Sequence, residues 1–180
     1  MIDLQAVSAL TQLLWMTPQE KVYCILDGAS VPDLLDKLHG DLPPEFECLH
    51  RGELEPDMAE VVPYLVALEQ DSPFTEWVIT QGWGNHWGVF VVAKVDLRTL
   101  YFHLRTLGII YDPNGEPMLF RWYDPRVLRV FLPTCDPVQV TEFYGPVERF
   151  VAEDDPSTVA LTLAHSNGEP KIGKRQIITT

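Results

Sequence analysis

Gly82-Trp83-Gly84-Asn85-His86-Trp87-Gly88 packs three glycines into seven residues, a density that suggests a loop cradling phosphate. The spacing is neither GxGxxG nor GxxxxGK, and two tryptophans would crowd the close backbone approach a pyrophosphate requires, so nucleotide binding is not predicted. The glycines instead allow a sharp junction between a helix and the strand after it, with Trp83 and Trp87 packed around it and His86 as an orienting or capping residue.

A second block, Phe120-Arg121-Trp122-Tyr123-Asp124-Pro125-Arg126-Val127-Leu128-Arg129, gathers aromatic rings and three arginines in an acidic protein. Asp124 before Pro125 matches a helix N-cap followed by proline in the first turn, which explains that pair without catalysis. Arg126 and Arg129 share a side of the helix that follows. Arginine beside tryptophan and tyrosine suits either a protein-binding hot spot or an internal network with Asp27 or Asp124, and both readings stay open.

A hydrolase would need a nucleophile, a base and an orienter, for example Cys24 or Ser30 with His86 and Asp27 or Asp124. No GxSxG supports any combination. Histidines at 39, 50, 86, 103 and 165 are scattered and no HExxH is present, so neither a metal nor any other cofactor is expected. With twenty-six acidic residues some carboxylate pair falls at glycosidase spacing by chance, which makes such a pair uninformative.

The elements that must position these blocks follow from periodicity. Leu4, Val7, Leu10, Leu13 and Leu14 predict an opening helix that ends near Pro18. Lys21 to Leu26 reads as a strand, Asp27-Gly28 as a turn, and Val31 to Leu38 as a helix capped by Ser30. Glu47 to Leu49 predicts a short strand, Val61 to Leu68 a buried segment of either type, and Ser72 to Ile79 a helix. His86 to Ala93 is a strand covered on both faces, and Leu97 to Leu107 a helix ended by Gly108. Ile109 to Tyr111 with Met118 to Tyr123 predicts a hairpin. Val127 to Leu132 and Pro137 to Phe143 read as helices, Val147 to Val151 and Val159 to Leu163 as strands, and Ser166 to Thr180 as loose or bound to something else. The fold class is therefore α/β or α+β, a mixed sheet with flanking helices in one compact lobe. Its division is a domain over 1–150 and a short C-terminal extension over 151–180, loosely ordered or a reduced second lobe.

At 180 residues with 46% hydrophobic side chains the chain can bury a real core. Thirteen basic against twenty-six acidic residues, a formal charge of -13, argues against nucleic acid and anionic membrane as partners. The acidity is concentrated: residues 1–80 carry fifteen acidic and three basic side chains, residues 81–150 seven of each. That half is either a solvated surface or an electrostatic face for a basic or neutral partner segment. Cys24, Cys48 and Cys135 lack CxxC spacing and read as reduced thiols. Without a charged and then apolar leader, or a run of about 20 apolar residues, the expected location is the cytoplasm.

Four blocks, Leu26-Asp27-Gly28-Ala29, Gly82 to Phe90, Phe120 to Leu128 and Phe143-Tyr144-Gly145-Pro146, together resemble the DUF4123 family over about residues 22–150. The resemblance implies an adaptor chaperone of the bacterial type VI secretion system, not an enzyme. Such a protein binds a toxic effector, often near its N-terminus, and helps load it onto the spike protein of the injection apparatus. It also implies that Asp27, Trp83, His86, Trp87, Arg121, Trp122, Tyr123, Asp124, Arg126 and Arg129 are signature or partner-binding residues. Many relatives continue into a helical second lobe; about thirty residues follow Val151 here, leaving a compact variant or a shortened chain. A small hydrolase using His86 with a nearby carboxylate, or an antitoxin-like binding protein, are the alternatives. Oligomeric state is not legible in the sequence.

Overall fold

Continuous apolar runs such as Val22 to Leu26 and Val89 to Ala93 need cover on both faces when they form strands. The computed structural model, which describes residues 2–177, supplies that cover with two helical layers. The elements run α1 (Leu4–Leu14), β1 (Lys21–Asp27), α2 (Leu34–Leu38), β2 (Phe46–Cys48), α3 (Pro56–Ala59), β3 (Pro63–Leu68), α4 (Pro73–Trp77), β4 (Gly88–Ala93) and α5 (Leu97–Leu104). Then come β5 (Ile109–Tyr111), β6 (Pro117–Leu119), α6 (Pro125–Phe131), α7 (Pro137–Tyr144), β7 (Val147–Glu153), β8 (Val159–Ser166) and β9 (Glu169–Gln176).

Among the described residues the main sheet has seven strands in the order β2-β3-β1-β4-β7-β8-β9, and β5 with β6 forms a separate two-stranded hairpin. Every pair is antiparallel, so of the two architectures open from the sequence the molecule is the α+β one, and its sheet is not mixed. One face buries Ile25, Val91 and Phe150 under Leu100 and Leu104 of α5, Leu128 of α6 and Phe143 of α7. The other buries Cys24, Phe90 and Val151 under Leu10 and Leu14 of α1, Leu34 and Leu38 of α2, and Phe74 of α4.

Cap chemistry sets the helix starts. Asp3, Ser72, Asp96, Asp124 and Asp136 each accept backbone N–H bonds from the first turn of the helix that follows. Ser30 is not a cap: its hydroxyl donates to Asp27, and α2 starts only at Leu34, after Asp33 has turned through a positive φ of 55°. The expected loose extension is also corrected. Residues 151–176 complete β7 and add β8 and β9 to the same sheet, because β8 still has core to bury, Leu161 and Leu163 on one face and Ala160 on the other. Residues 178–180 of that segment lie outside the described residues. Among those residues no helix is long and apolar enough to cross a membrane.

Candidate functional site

Antiparallel pairing brings the C-terminal ends of β1 and β7 to the N-terminal end of β4, since Leu26 pairs with Gly88 and Phe90 with Val151. That end of the sheet carries two buried carboxylates, Asp27 and Glu153. A third, Asp124, is buried at the start of α6. Each is matched by a cationic or imidazole side chain that reaches toward solvent, so the signature blocks meet in three dimensions as a paired charge network.

Asp27 takes an ion pair from Arg121 Nη2 and a hydrogen bond from Ser30 Oγ at 2.6 Å, both on Oδ2. Its backbone N–H donates to the Trp87 carbonyl at 2.8 Å, which joins the first and second blocks. Asp124 accepts from the Arg126 backbone N–H at 2.9 Å and is gripped by the same residue's guanidinium, Nε to Oδ1 at 2.9 Å and Nη2 to Oδ2 at 2.6 Å. Burial opposes ionisation of Asp124, but the Arg126 bonds prevail and hold its carboxyl below the usual range. The Asp124 carboxylate in turn raises the Arg126 guanidinium above its usual value. Tyr123 lies beside this pair, buried, its phenol pushed up to about 12 by desolvation and by the charge on Asp27.

Glu153 organises the glycine block. Its carboxylate accepts the backbone N–H groups of Gly84 and His86, the latter at 2.8 Å, and meets His86 Nδ1. Two N–H groups converge on one anion because the chain turns through positive φ at Gly84 (86°) and again at His86 (56°). The turn is closed by Trp83 Nε1, which donates to the Ser157 carbonyl at 2.7 Å. After it, Gly88 is obligatory: a Cβ there would run into the Ile25 carbonyl of β1. The helix before it ends in a π-helical turn, Val78–Gly82, which is the sharp junction the glycines predicted. Below the loop lies a cavity of about 20 Å³ walled by Leu26, Val78, Trp83, Trp87 and Phe90, with Glu153 at one side, room for about one water.

The ten sequence-derived residues therefore divide. Asp27, His86, Arg121, Asp124 and Arg126 make the network directly. Trp122 is core, its ring meeting Phe143 and Phe150 edge-on at 5.3 and 5.8 Å, and Trp83 is buried over Phe90. Trp87 is half-buried against Trp77 at 4.8 Å. Arg129 leaves the network and faces Asp155 at 3.6 Å. Sequence reasoning missed Glu153; the one available signal was an acid directly after an apolar strand, which counts for little in so acidic a chain.

Chemically the arrangement holds charges in place. Among the described residues no group of three His, Cys, Asp or Glu side chains could hold a metal ion. The Cys24 thiol is buried in the core and pushed far up by desolvation, and Ser30 Oγ is committed to Asp27. Fold and site together define an α+β protein, built on a seven-stranded antiparallel sheet, whose signature residues lock three loops to one end of that sheet.

The chain belongs to the DUF4123 family, described as a domain of unknown function, whose model matches residues 22–142. The match runs from β1 into α7, so it covers Asp27, His86, Arg121, Asp124 and Arg126 but stops short of Glu153. No curated protein and no solved structure shows significant similarity to the chain.

Proposed function

We propose that this protein is an adaptor chaperone of type VI secretion, binding a toxic effector near its N-terminus and helping to load it onto the spike protein. Membership of the DUF4123 family is the observation that carries the reading. The site supports it: the signature side chains are spent on one another, and the cavity beside Glu153 is too small for a substrate. Large apolar side chains are meanwhile exposed on the β5–β6 hairpin, where Ile109, Ile110, Tyr111, Met118 and Leu119 all reach solvent. An adaptor needs such a surface, and an ordered scaffold to hold it, more than it needs a reactive group.

Affinity capture of the tagged protein from its native host, at physiological salt, tests the reading. Recovery of one large effector, with or without a spike protein, is expected. Recovery of neither, from cells shown to express both, would overturn it.

One observation favours a second reading. His86 Nδ1 against buried Glu153 is how a general base is oriented in hydrolases. Among the described residues no hydroxyl or thiol is hydrogen-bonded to His86, and a substrate screen comparing wild type with His86→Ala would expose any such activity.

A further inference from the structure

The concave surfaces of this protein differ in charge. The hollow beside α2 is lined by Asp33, Asp36 and Glu60, the groove between Leu42 and Phe74 by Glu45, Glu69 and Asp71, and the groove under α1 by Asp3 and Glu76. A cleft of about 110 Å³ at the root of the β5–β6 hairpin is the exception. Its apolar walls are Leu49, Pro63, Leu104, Ile109 and Leu119, with Trp122 and Tyr123 at the back. Its ionisable rim is His50, Arg51 and Arg105, with no carboxylate, in a chain with twice as many acids as bases. Glu47 is exposed on β2 but does not line it; at the hairpin tip Asp112 accepts the backbone N–H groups of Asn114 and Glu116, and the exposed Glu116 does not line the cleft either.

Neither arginine has a carboxylate partner among the described residues. Arg51 Nε donates to the Arg105 carbonyl at 2.9 Å, which sets the two side by side, and the Arg105 guanidinium lies over the Tyr101 ring at 5.0 Å. Both residues line the cleft, and among the described residues neither guanidinium makes a hydrogen bond through its Nη groups, which leaves donors suited to carboxylates. The hairpin beside them is a two-stranded sheet, marginal in isolation, with large apolar residues on both faces.

We propose that this cleft is the docking site for a short partner segment in which a large apolar side chain is flanked by aspartate or glutamate. The apolar residue fills the cleft between Leu104 and Leu119, and the flanking carboxylates meet Arg51 and Arg105. The assignment of that segment to an effector rests on the adaptor reading; the chemistry of the site does not. It reverses the expectation, drawn from net charge, of a basic client segment, because the charge that matters is the one beside the apolar surface.

Selection of a random dodecapeptide display library on the full chain, beside the Arg51→Glu/Arg105→Glu variant, tests the site without any client in hand. Wild type should enrich peptides with a large apolar residue between acidic ones, and a synthesised member should bind the variant at least tenfold more weakly. Arg51→Gln/Arg105→Gln should show an intermediate loss with an unchanged thermal melt, which separates lost contact from lost fold. No enrichment, enrichment of peptides lacking acids, or equal binding to all three proteins would overturn the proposal. The adaptor reading would then stand or fall separately, on capture from the host.

Discussion

Glu153 shows how one side chain can hold a loop. Three donors, two of them backbone, converge on its carboxylate, and it is buried. Removing it leaves those donors poorly satisfied and releases His86 from a left-handed backbone conformation that costs about 1 kcal/mol or more to maintain. We expect Glu153→Ala to lower stability by about 2–3 kcal/mol, and Glu153→Gln by nearly as much because its amide turns donors toward donors. Urea unfolding would measure both; a Gln variant as stable as wild type would show that the charge and the second acceptor are dispensable. Asp124 gives a pH signature. Its carboxyl lies below the usual value when folded, so the unfolded chain takes up the proton first as pH falls. The stabilisation is complete above about pH 4 and is lost as pH drops through the folded value. Asp124→Asn retains a helix cap but not the charge, so its deficit in melting temperature should be clear near pH 7 and shrink progressively as pH falls below the ordinary aspartate value of about 4. A deficit constant across that range would assign the role to cap geometry alone.

Elements differ in how far the sequence reveals them, and the reason is range. The opening helix, the strand after Lys21 and the short strand near Glu47 fall within a residue or so of their expected places, because apolar periodicity and caps are local. β9 was unreadable: Glu169–Gln176 is an edge strand, mostly exposed, whose pairing with β8 is backbone hydrogen bonding that leaves no apolar pattern. The network was half legible. Asp27, Arg121, Asp124 and Arg126 stand out by type, whereas their partners are set by which strand ends the topology brings together. The same limit hid Arg149, a buried cation on β7 that reaches Glu20 at 2.6 Å and accepts the role of C-cap for α1 by donating to the Leu13 and Leu14 carbonyls, each at 3.2 Å. Arg149 hydrogen bonds hold the Glu20 carboxyl below its usual value. Arg149→Ala therefore removes a cap and leaves the partly buried Glu20 carboxylate without its cation, and a loss of about 3 kcal/mol is expected in thermal or urea unfolding. A loss under about 1 kcal/mol would mean that α1 is held by its apolar face alone.

At the scale of the whole molecule, the strands beyond the family match decide whether the lobe can stand alone. β4 and β7 hold the centre of the sheet, and β8 pairs with β7 from Arg149 to Glu153. Without β8 and β9, Leu161 and Leu163 vanish from a core that includes Phe150, Tyr144 and Leu132, Ala160 vanishes from the core on the other face, and β7 becomes a long open edge. His165 also leaves the face of Tyr144, a ring contact at 4.5 Å. An apolar edge of that kind templates pairing with other chains, whereas the native edge is β9, blunted by Lys171, Lys174 and Arg175. A chain ended after Glu153 should therefore express as aggregate or as a species with lost near-ultraviolet dichroism, even though the whole stretch 22–142 is intact. If it instead proved monomeric with a cooperative melt near that of the full chain, β8 and β9 would be an addition to a self-sufficient lobe. The cationic strand would then be free to serve as an interface, and the division near residue 150 read from the sequence would be the physically meaningful one.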